Sequence, residues 1–485
     1  MASAARLASS AGRGIVAAAV LGSSLALLDG TVVNVALPHI GEEFSADLDA
    51  LQWTVNGYTL TLAAVVLLGG ALGDRFGRRR VFLIGVVWFG ITSMLCGFAT
   101  GSVELVVARC LQGIGAGLLT PGSLAIIQAS IKEGDRASAI GAWSGLGGVA
   151  AAAGPLLGGW LVDAVNWRLV FFINAPLVVA CVFATLRWVP ETRDETRSGR
   201  FDIAGGALAV VFLGGVTYAL VQYEPLVPAL VAAGIGLAAG IALLVVERYA
   251  AAPVLPPRMF ANRQFSAINA VTFFVYAGLG GVLFFLVMQL QVVSGYDALQ
   301  AGLSMLPFTL LMLVFSARAG RLGQRIGPRL PLTVGPAMVA AGVLALVGVG
   351  AVAPYWTHVL PGVLLLSVGM TITVAPLTAG VLAATDVANA GVASGVNNAI
   401  ARAANLLAVA ALPLAVGLTG MAYTDPVAFT SGYRLAIMLC AGMFVVGALI
   451  SLLWVRNPAH ASANPPATHT QCSPNSPQLD PGTGE

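Results

Sequence analysis

This sequence predicts an all-α polytopic membrane protein, on three observations. Of its 485 residues 58% are hydrophobic and only 9% charged, against roughly 25% charged in ordinary soluble domains. The apolar residues fall in long runs, each near the roughly 20 residues that carry a helix across about 30 Å of hydrocarbon. Short breaks rich in charge, Pro, Gly or Asn separate the runs. No soluble core could absorb that much apolar sequence. Irregular backbone facing lipid would leave its polar groups unpaired, so the runs must be helices.

Taken in order, the runs give fourteen spans: near 14–37, 52–72, 81–99, 104–130, 138–162, 168–189, 203–222, 227–246, 266–293, 299–318, 331–352, 358–383, 389–418 and 433–455. An even number puts both termini on one side. With the N-terminus inside, twenty of the 24 Lys and Arg residues fall in cytoplasmic segments, Arg168 and Arg434 face out, and Arg109 and Arg402 lie within spans. The positive-inside rule therefore predicts cytoplasmic termini. Arg6 and Arg13 before the first run would suit a cleaved signal peptide. That run continues past Asp29 to Leu37 and thirteen more follow, so it reads as a span. From about residue 457 the chain turns to Pro, Ser, Asn and Thr. Such a composition buries too little surface to fold and predicts a disordered cytoplasmic tail.

One pattern occurs twice. Gly70, Leu72, Gly73, Asp74, Arg75 and Gly77 recur in the same spacing, 250 residues later, as Gly320, Leu322, Gly323, Gln324, Arg325 and Gly327. Aligning the copies sets spans one to six against spans nine to fourteen and leaves spans seven and eight as an insert. The expected organisation is thus a six-helix half over 1–190, linkers with two inserted helices over 191–265, a second six-helix half over 266–456 and the tail over 457–485. Duplicated membrane bundles of this kind are usually transporters. The connector from Glu191 to Asp202 balances Arg193, Arg197 and Arg200 against four acids. It reads as a solvated linker and not as a nucleic-acid patch.

Four segments together resemble the major facilitator superfamily. Gly70 to Val81 is similar to its loop signature between spans two and three, and Leu105 to Gly117, with Arg109, Gln112 and Gly113, to its fourth-span signature. Gly154, Pro155, Gly158 and Gly159 resemble the fifth-span antiporter signature. Leu28, Asp29, Thr31, Val32, Val33, Asn34, Ala36, Leu37 and Pro38 resemble the first span of the fourteen-span drug:proton antiporters of the EmrB/QacA type, and Trp167 to Pro176 fits that family too. The resemblance implies a major facilitator fold with its helices grouped six plus two plus six. It also implies alternating access driven by a proton gradient, with no cofactor.

Within that frame particular residues carry expectations. Asp29 is the one acid deep in a span, where a charge costs several kcal/mol or more. At 1.5 Å per residue it lies roughly 22 Å from the cytoplasmic side, a level that Arg109 shares and Arg402 nearly shares at about 21 Å. The resemblance associates the fourth-span Arg with proton coupling, so Asp29 and Arg109 are the expected coupling pair. For Arg402 two readings stand level: a second cation for Asp29, or a snorkelling or structural side chain. Asn34, Trp53, Asn56, Tyr58, Gln112, Asn269, Phe273, Gln289 and Gln291 are the candidate substrate-cavity residues, each also explicable as helix packing. Asp74, Arg75, Gly77 and Arg78 are expected to gate. The resemblance implies that Asp74 docks on the opposite half near Ala388 to Gly391, at a helix N-terminus that attracts negative charge. Gly141, Gly145, Gly154 and Gly158, with Pro155, predict a close helix seam.

Other classes fit poorly. The four histidines, His39, His358, His460 and His469, lie in loops and tail with no HExxH, and no GxxxxGK[ST] loop is present. The five cysteines form no CxxC pair, which argues against a disulfide framework or a zinc site. An enzyme is therefore not expected. The expected activity is proton-coupled efflux of small lipophilic or cationic compounds, a multidrug antiporter. The alternative is a dedicated exporter of one endogenous metabolite, lipid or peptide. Protons, a small-molecule substrate and the lipid bilayer are the expected partners, without nucleic acid. A monomeric transport unit in a bacterial cytoplasmic membrane completes the expectation.

Overall fold

The computed structural model describes residues 5–192, 203–250, 257–385 and 390–457. The described chain is all-helical. In order run α1 (Ser10–Phe44), α2 (Leu48–Phe76), α3 (Arg78–Phe98), α4 (Ser102–Ser130), α5 (Glu133–Ala164), the single turn α6 (Leu169–Phe172), α7 (Asn174–Trp188), α8 (Ile203–Val221) and α9 (Leu226–Tyr249). Then follow α10 (Arg263–Met288), α11 (Ala298–Ser304), α12 (Leu306–Ile326), α13 (Arg329–Ala345), α14 (Leu360–Ala383), α15 (Ala390–Ala415) and α16 (Pro426–Trp454). A π turn at Gln289–Val293 extends α10, and another at Tyr355–Val359 precedes α14. The termini of several helices are capped locally: Ser9, Asp47, Asn262 and Asp425 accept hydrogen bonds from first-turn amides, and Asp297 with Gln300 forms a full capping box on α11.

Among the described residues, twelve helices are long and apolar enough to cross a membrane, thirteen if the two pieces of α2 on either side of residue 67 count as one. The count stops short of the fourteen expected from the runs. Half of the 32 residues of α5 are Gly or Ala, small rather than strongly apolar. This helix packs against α1 and against α11 and α12.

Helices α1 to α7 pack on one another, as do α10 to α16. The two bundles meet along two seams. On one, α5 lies against α11 and α12; on the other, α2 lies against α15, and α8 covers the join, with Leu60, Ala63, Leu213 and Leu406 as its core. Packed on α8, α9 leaves Leu226, Val227, Leu230, Ile235 and Ile241 exposed, the outward apolar face of a helix in lipid.

Both described ends of the chain, Ala5 and Asn457, lie at one end of the bundles, here the terminal end. Ala5 pairs with the turn after α4, and Asn457 with the turn between α12 and α13. All side-chain hydrogen bonds between the bundles among the described residues lie at the opposite end. The Gln291 amide donates to the Val35 carbonyl at 3.2 Å, Tyr423 Oη to the Ala46 carbonyl at 2.7 Å, and the α11 amides of Ala298 and Leu299 to Asp163 at 3.2 and 2.7 Å. The molecule is closed at the far end.

Candidate functional site

The site begins with the cost of charge in an apolar bundle. Asp29 and Arg109 are both buried, at 0% and 1% exposure, and their pairing is what makes that burial tolerable. Arg109 Nη1 meets Asp29 Oδ2 at 2.5 Å and also donates to Gln112 Oε1 at 2.8 Å. Its Nε donates to the Thr54 carbonyl at 3.0 Å, and the guanidinium lies 4.2 Å above the Tyr58 ring. Gln112 Nε2 donates to Asp29 Oδ1 at 2.8 Å, and Asn174 Nδ2 to the same oxygen at 3.4 Å. Asn174 is held in turn by Ser93 Oγ at 3.0 Å, which donates to the Phe171 carbonyl.

Each helix contributes by register. Arg109 and Gln112 stand three apart on one face of α4, so both reach the same carboxylate across the bundle. Asn174 opens α7 just after the α6 turn, which sets it at the same level. The Tyr58 hydroxyl donates to the Ala26 carbonyl at 3.2 Å, tying α2 to α1 one turn before Asp29. The result is a closed polar knot joining α1, α2, α4 and α7. Protonating Asp29 would remove the negative charge that faces the Arg109 guanidinium.

A cavity of about 790 Å³ lies on the other side of α1, between the bundles. Thr31 and Asn34 line it, with Gly141 and Pro155 of α5, Leu283 and Val287 of α10, and Phe308, Met312 and Arg321 of α12. Successive residues on a helix are rotated by about 100°, so Asp29 points into the first bundle while the next turn faces the cavity. Gly30 stands between them, exposed, with open space where a side chain would be.

Of the nine expected cavity residues, Asn34 lines this cavity. Tyr58 and Gln112 belong to the knot. Trp53 packs beside the α2–α8–α15 core against Tyr218, with ring centres 6.3 Å apart. Asn56 is fully buried, and neither polar atom of its side chain has a partner among the described residues. Asn269 is bonded to Asn397 and to the Phe265 carbonyl, and Phe273 is half-buried beside Phe274. Gln289 donates to the Val349 carbonyl and Gln291 closes the far end. Arg402 is not brought to Asp29: no hydrogen bond or ion pair joins them.

The two copies of the repeated turn are built alike. Gly77 has φ of +108° and Gly327 of +82°, a region that disfavours any side chain. Over each glycine sits a side chain from the end of the last helix of its bundle: a Cβ on Gly77 would stand 2.5 Å from the Glu191 carboxylate, and one on Gly327 2.2 Å from Asn457 Oδ1. The same two groups accept from the amides of Arg79 and Arg329, at 3.1 Å in both cases. Arg79 and Arg329 then bond the carbonyls of Leu186 and Leu452. Asp74 pairs with Arg78 of its own turn at 2.8 Å. Of its expected docking segment, Ala388 to Gly391, residues 388 and 389 lie outside the described residues. Arg75 is exposed beside Phe76.

The α5 signature forms a double seam. A Cβ on Gly154 would meet Thr31 of α1 at 2.0 Å, one on Gly158 would meet Val32 at 3.3 Å, and one on Gly159 would meet Leu299 of the other bundle at 2.5 Å. The Pro155 carbonyl sits 2.2 Å from where Gly302 would carry its Cβ. Gly141, expected in the same seam, instead faces open cavity.

Sequence comparison agrees with this architecture. The sequence model of the Major Facilitator Superfamily matches residues 19–409. Over 389 residues the chain is 34% identical to the Multidrug resistance protein Stp of Mycobacterium tuberculosis (strain CDC 1551 / Oshkosh), covering 78% of this chain and 71% of that one. Over 450 residues it is 34% identical to the Puromycin resistance protein pur8 of Streptomyces alboniger, covering 89% and 88%. Among solved structures, a bacterial homologue of the human lysosomal transporter Spinster superposes with a TM-score of 0.63 at 18% identity, over 92% of this chain and 98% of that one. At that identity the likeness concerns the fold.

Proposed function

The chain belongs to the major facilitator superfamily, as a multi-pass membrane transporter and not an enzyme, and from that premise we propose that it exports small lipophilic compounds in exchange for protons. The observation that carries the reading is the Asp29–Arg109 knot, a buried acid paired with a buried arginine on the helix that also walls a cavity between two bundles. Relatives named for resistance to drugs support the direction of transport.

In this reading the helices form fourteen spans grouped six plus two plus six, with both termini in the cytoplasm of a bacterial cell, and one chain is the transport unit. The cavity then opens inward and the far-end bonds are the outer gate. A proton arriving from outside neutralises Asp29 and frees Arg109 to rest on the Thr54 carbonyl and the Tyr58 ring. The knot's grip on α1 loosens, and α1 carries the change to Thr31 and Asn34 on its cavity face. Direct competition between a cationic substrate and a proton for Asp29 would need a carboxylate open to the cavity. Asp29 is shut away, so coupling through α1 replaces it, and the argument for cations falls with it. A dedicated exporter is the second reading, favoured by a relative named for a single compound, puromycin.

The test is transport by the full chain in proteoliposomes. An imposed pH gradient should drive accumulation of lipophilic dyes in wild type, and a protonophore should abolish it. Asp29→Asn should exchange dye down its gradient and ignore the pH gradient. Accumulation by Asp29→Asn that still follows the pH gradient would exclude the knot as the coupling device.

A further inference from the structure

We infer that Arg402 and Tyr276 form an anion-recognition point between the bundles, so that the exported compounds carry an acidic group; this rests on the export reading above. The contrast with Arg109 is the starting point. Arg109 spends its donors on Asp29, Gln112 and the Thr54 carbonyl. Arg402 has no hydrogen bond or ion pair among the described residues, yet it sits near the middle of α15, about 18 Å from the helix start at 1.5 Å per residue. Its side chain cannot reach the water at either end by snorkelling from that depth. Nor is it shut off: it is half-buried and so borders open space.

Its surroundings say what that space would hold. Two phenols lie within electrostatic reach of Arg402, Tyr58 of the first bundle and Tyr276 of the second. The Tyr58 hydroxyl already donates its hydrogen bond to the Ala26 carbonyl. Tyr276 has no hydrogen bond among the described residues, leaving an O–H donor beside a five-donor guanidinium. Tyr276 lies on the face of α10 that also carries Leu283 and Val287, seven and eleven residues further on, both on the cavity wall. Between them Gly280 meets Asn405, three residues after Arg402, so α10 and α15 touch beside the pair.

The charge balance points the same way. Asp29 is consumed by Arg109, and the cavity lining includes Arg321 but no acidic residue. A lipophilic cation entering that field meets repulsion; a carboxylate, sulfonate or phenolate meets unspent donors with fork geometry. The ligand class is therefore an amphiphile with one acidic group and an apolar body, the latter resting on Leu283, Val287, Phe308 and Met312.

Fluorescein, an anionic xanthene, and rhodamine 6G, a cationic relative of similar size, test this by equilibrium binding to purified full-length protein at neutral pH. Wild type should bind fluorescein more tightly than rhodamine 6G. Arg402→Gln should weaken fluorescein by about tenfold or more, the size of one charge-assisted hydrogen bond, and strengthen rhodamine 6G. Arg402→Lys should keep most of the fluorescein affinity, and Tyr276→Phe should lose a smaller part, so the inference stays testable if Arg402→Gln does not fold. Equal wild-type affinity for both dyes, no fluorescein binding, or unchanged affinity in Arg402→Gln would overturn it. Binding in detergent needs no gradient. A fluorescein flux indifferent to pH in vesicles would therefore defeat the antiport reading while leaving the anion point standing.

Discussion

The pairing of Asp29 with Arg109 decides what each residue around it can do. A buried ion pair contributes little net stability, but removing one partner strands the other charge at about 3–5 kcal/mol. Arg109→Gln should therefore lower thermal stability more than the double variant Asp29→Asn with Arg109→Gln, measured by thermal unfolding in detergent; equal losses would mean that the pair does not carry the charge balance. Gly30 gives a second expectation at this scale. Because it follows Asp29 and stands exposed with open space where a side chain would be, Gly30→Leu should slow pH-driven transport while leaving dye exchange nearly intact. The acid and its level with Arg109 were legible in the sequence, since an intramembrane carboxylate is rare enough to stand out. Thr54, Ser93 and Asn174 were not legible as partners. Their types occur in any helix interface, and only the lateral packing of α2, α3 and α7 brings them to one point.

Among elements, the repeated turn and the α5 seam separate two functions that share one kind of motif. The turn is a staple that ties the second and third helices of each bundle to its last helix, through Glu191 in one copy and Asn457 in the other. Glycine is required twice over in each, by positive φ and by the side chain above it. Gly77→Ala and Gly327→Ala should each destabilise by about 1–3 kcal/mol, and should do so alike, whatever Asp74→Asn does to cycling. The repeat itself was plain in the sequence. Its partners were hidden because they lie 114 residues after Gly77 and 130 after Gly327, positions that share no residue type. The proposed gate at the far end belongs to the seam. Asp163 caps α11 across the bundle interface, and its removal in Asp163→Ala should cost about 0.5–2 kcal/mol, enough to shift a two-state balance severalfold. Spin labels at the exposed far-end residues Val165 and Val427 should then show a larger population of long distances. An unchanged distance distribution would remove Asp163 from the gate.

In the whole molecule, a buried acid–arginine knot in one bundle stands beside a cavity that both bundles share. The all-helical membrane fold was readable from the apolar runs, because bilayer thickness dictates their length. Which polar side chains face the cavity was not readable. Helical period says that two residues share a face, but the neighbour of that face depends on the crossing of α2, α10 and α15. So Gln289 and Gln291, polar near a helix end, turned out to bond backbone at the far end, and Arg402 turned out to stand apart from Asp29. The most direct test of the central claim is proton release on substrate binding, followed with a pH indicator in weakly buffered detergent solution. Wild type should release protons when a transported dye binds, and Asp29→Asn should bind the dye and release none. Equal release from both proteins would contradict the assignment of Asp29 as the coupling group.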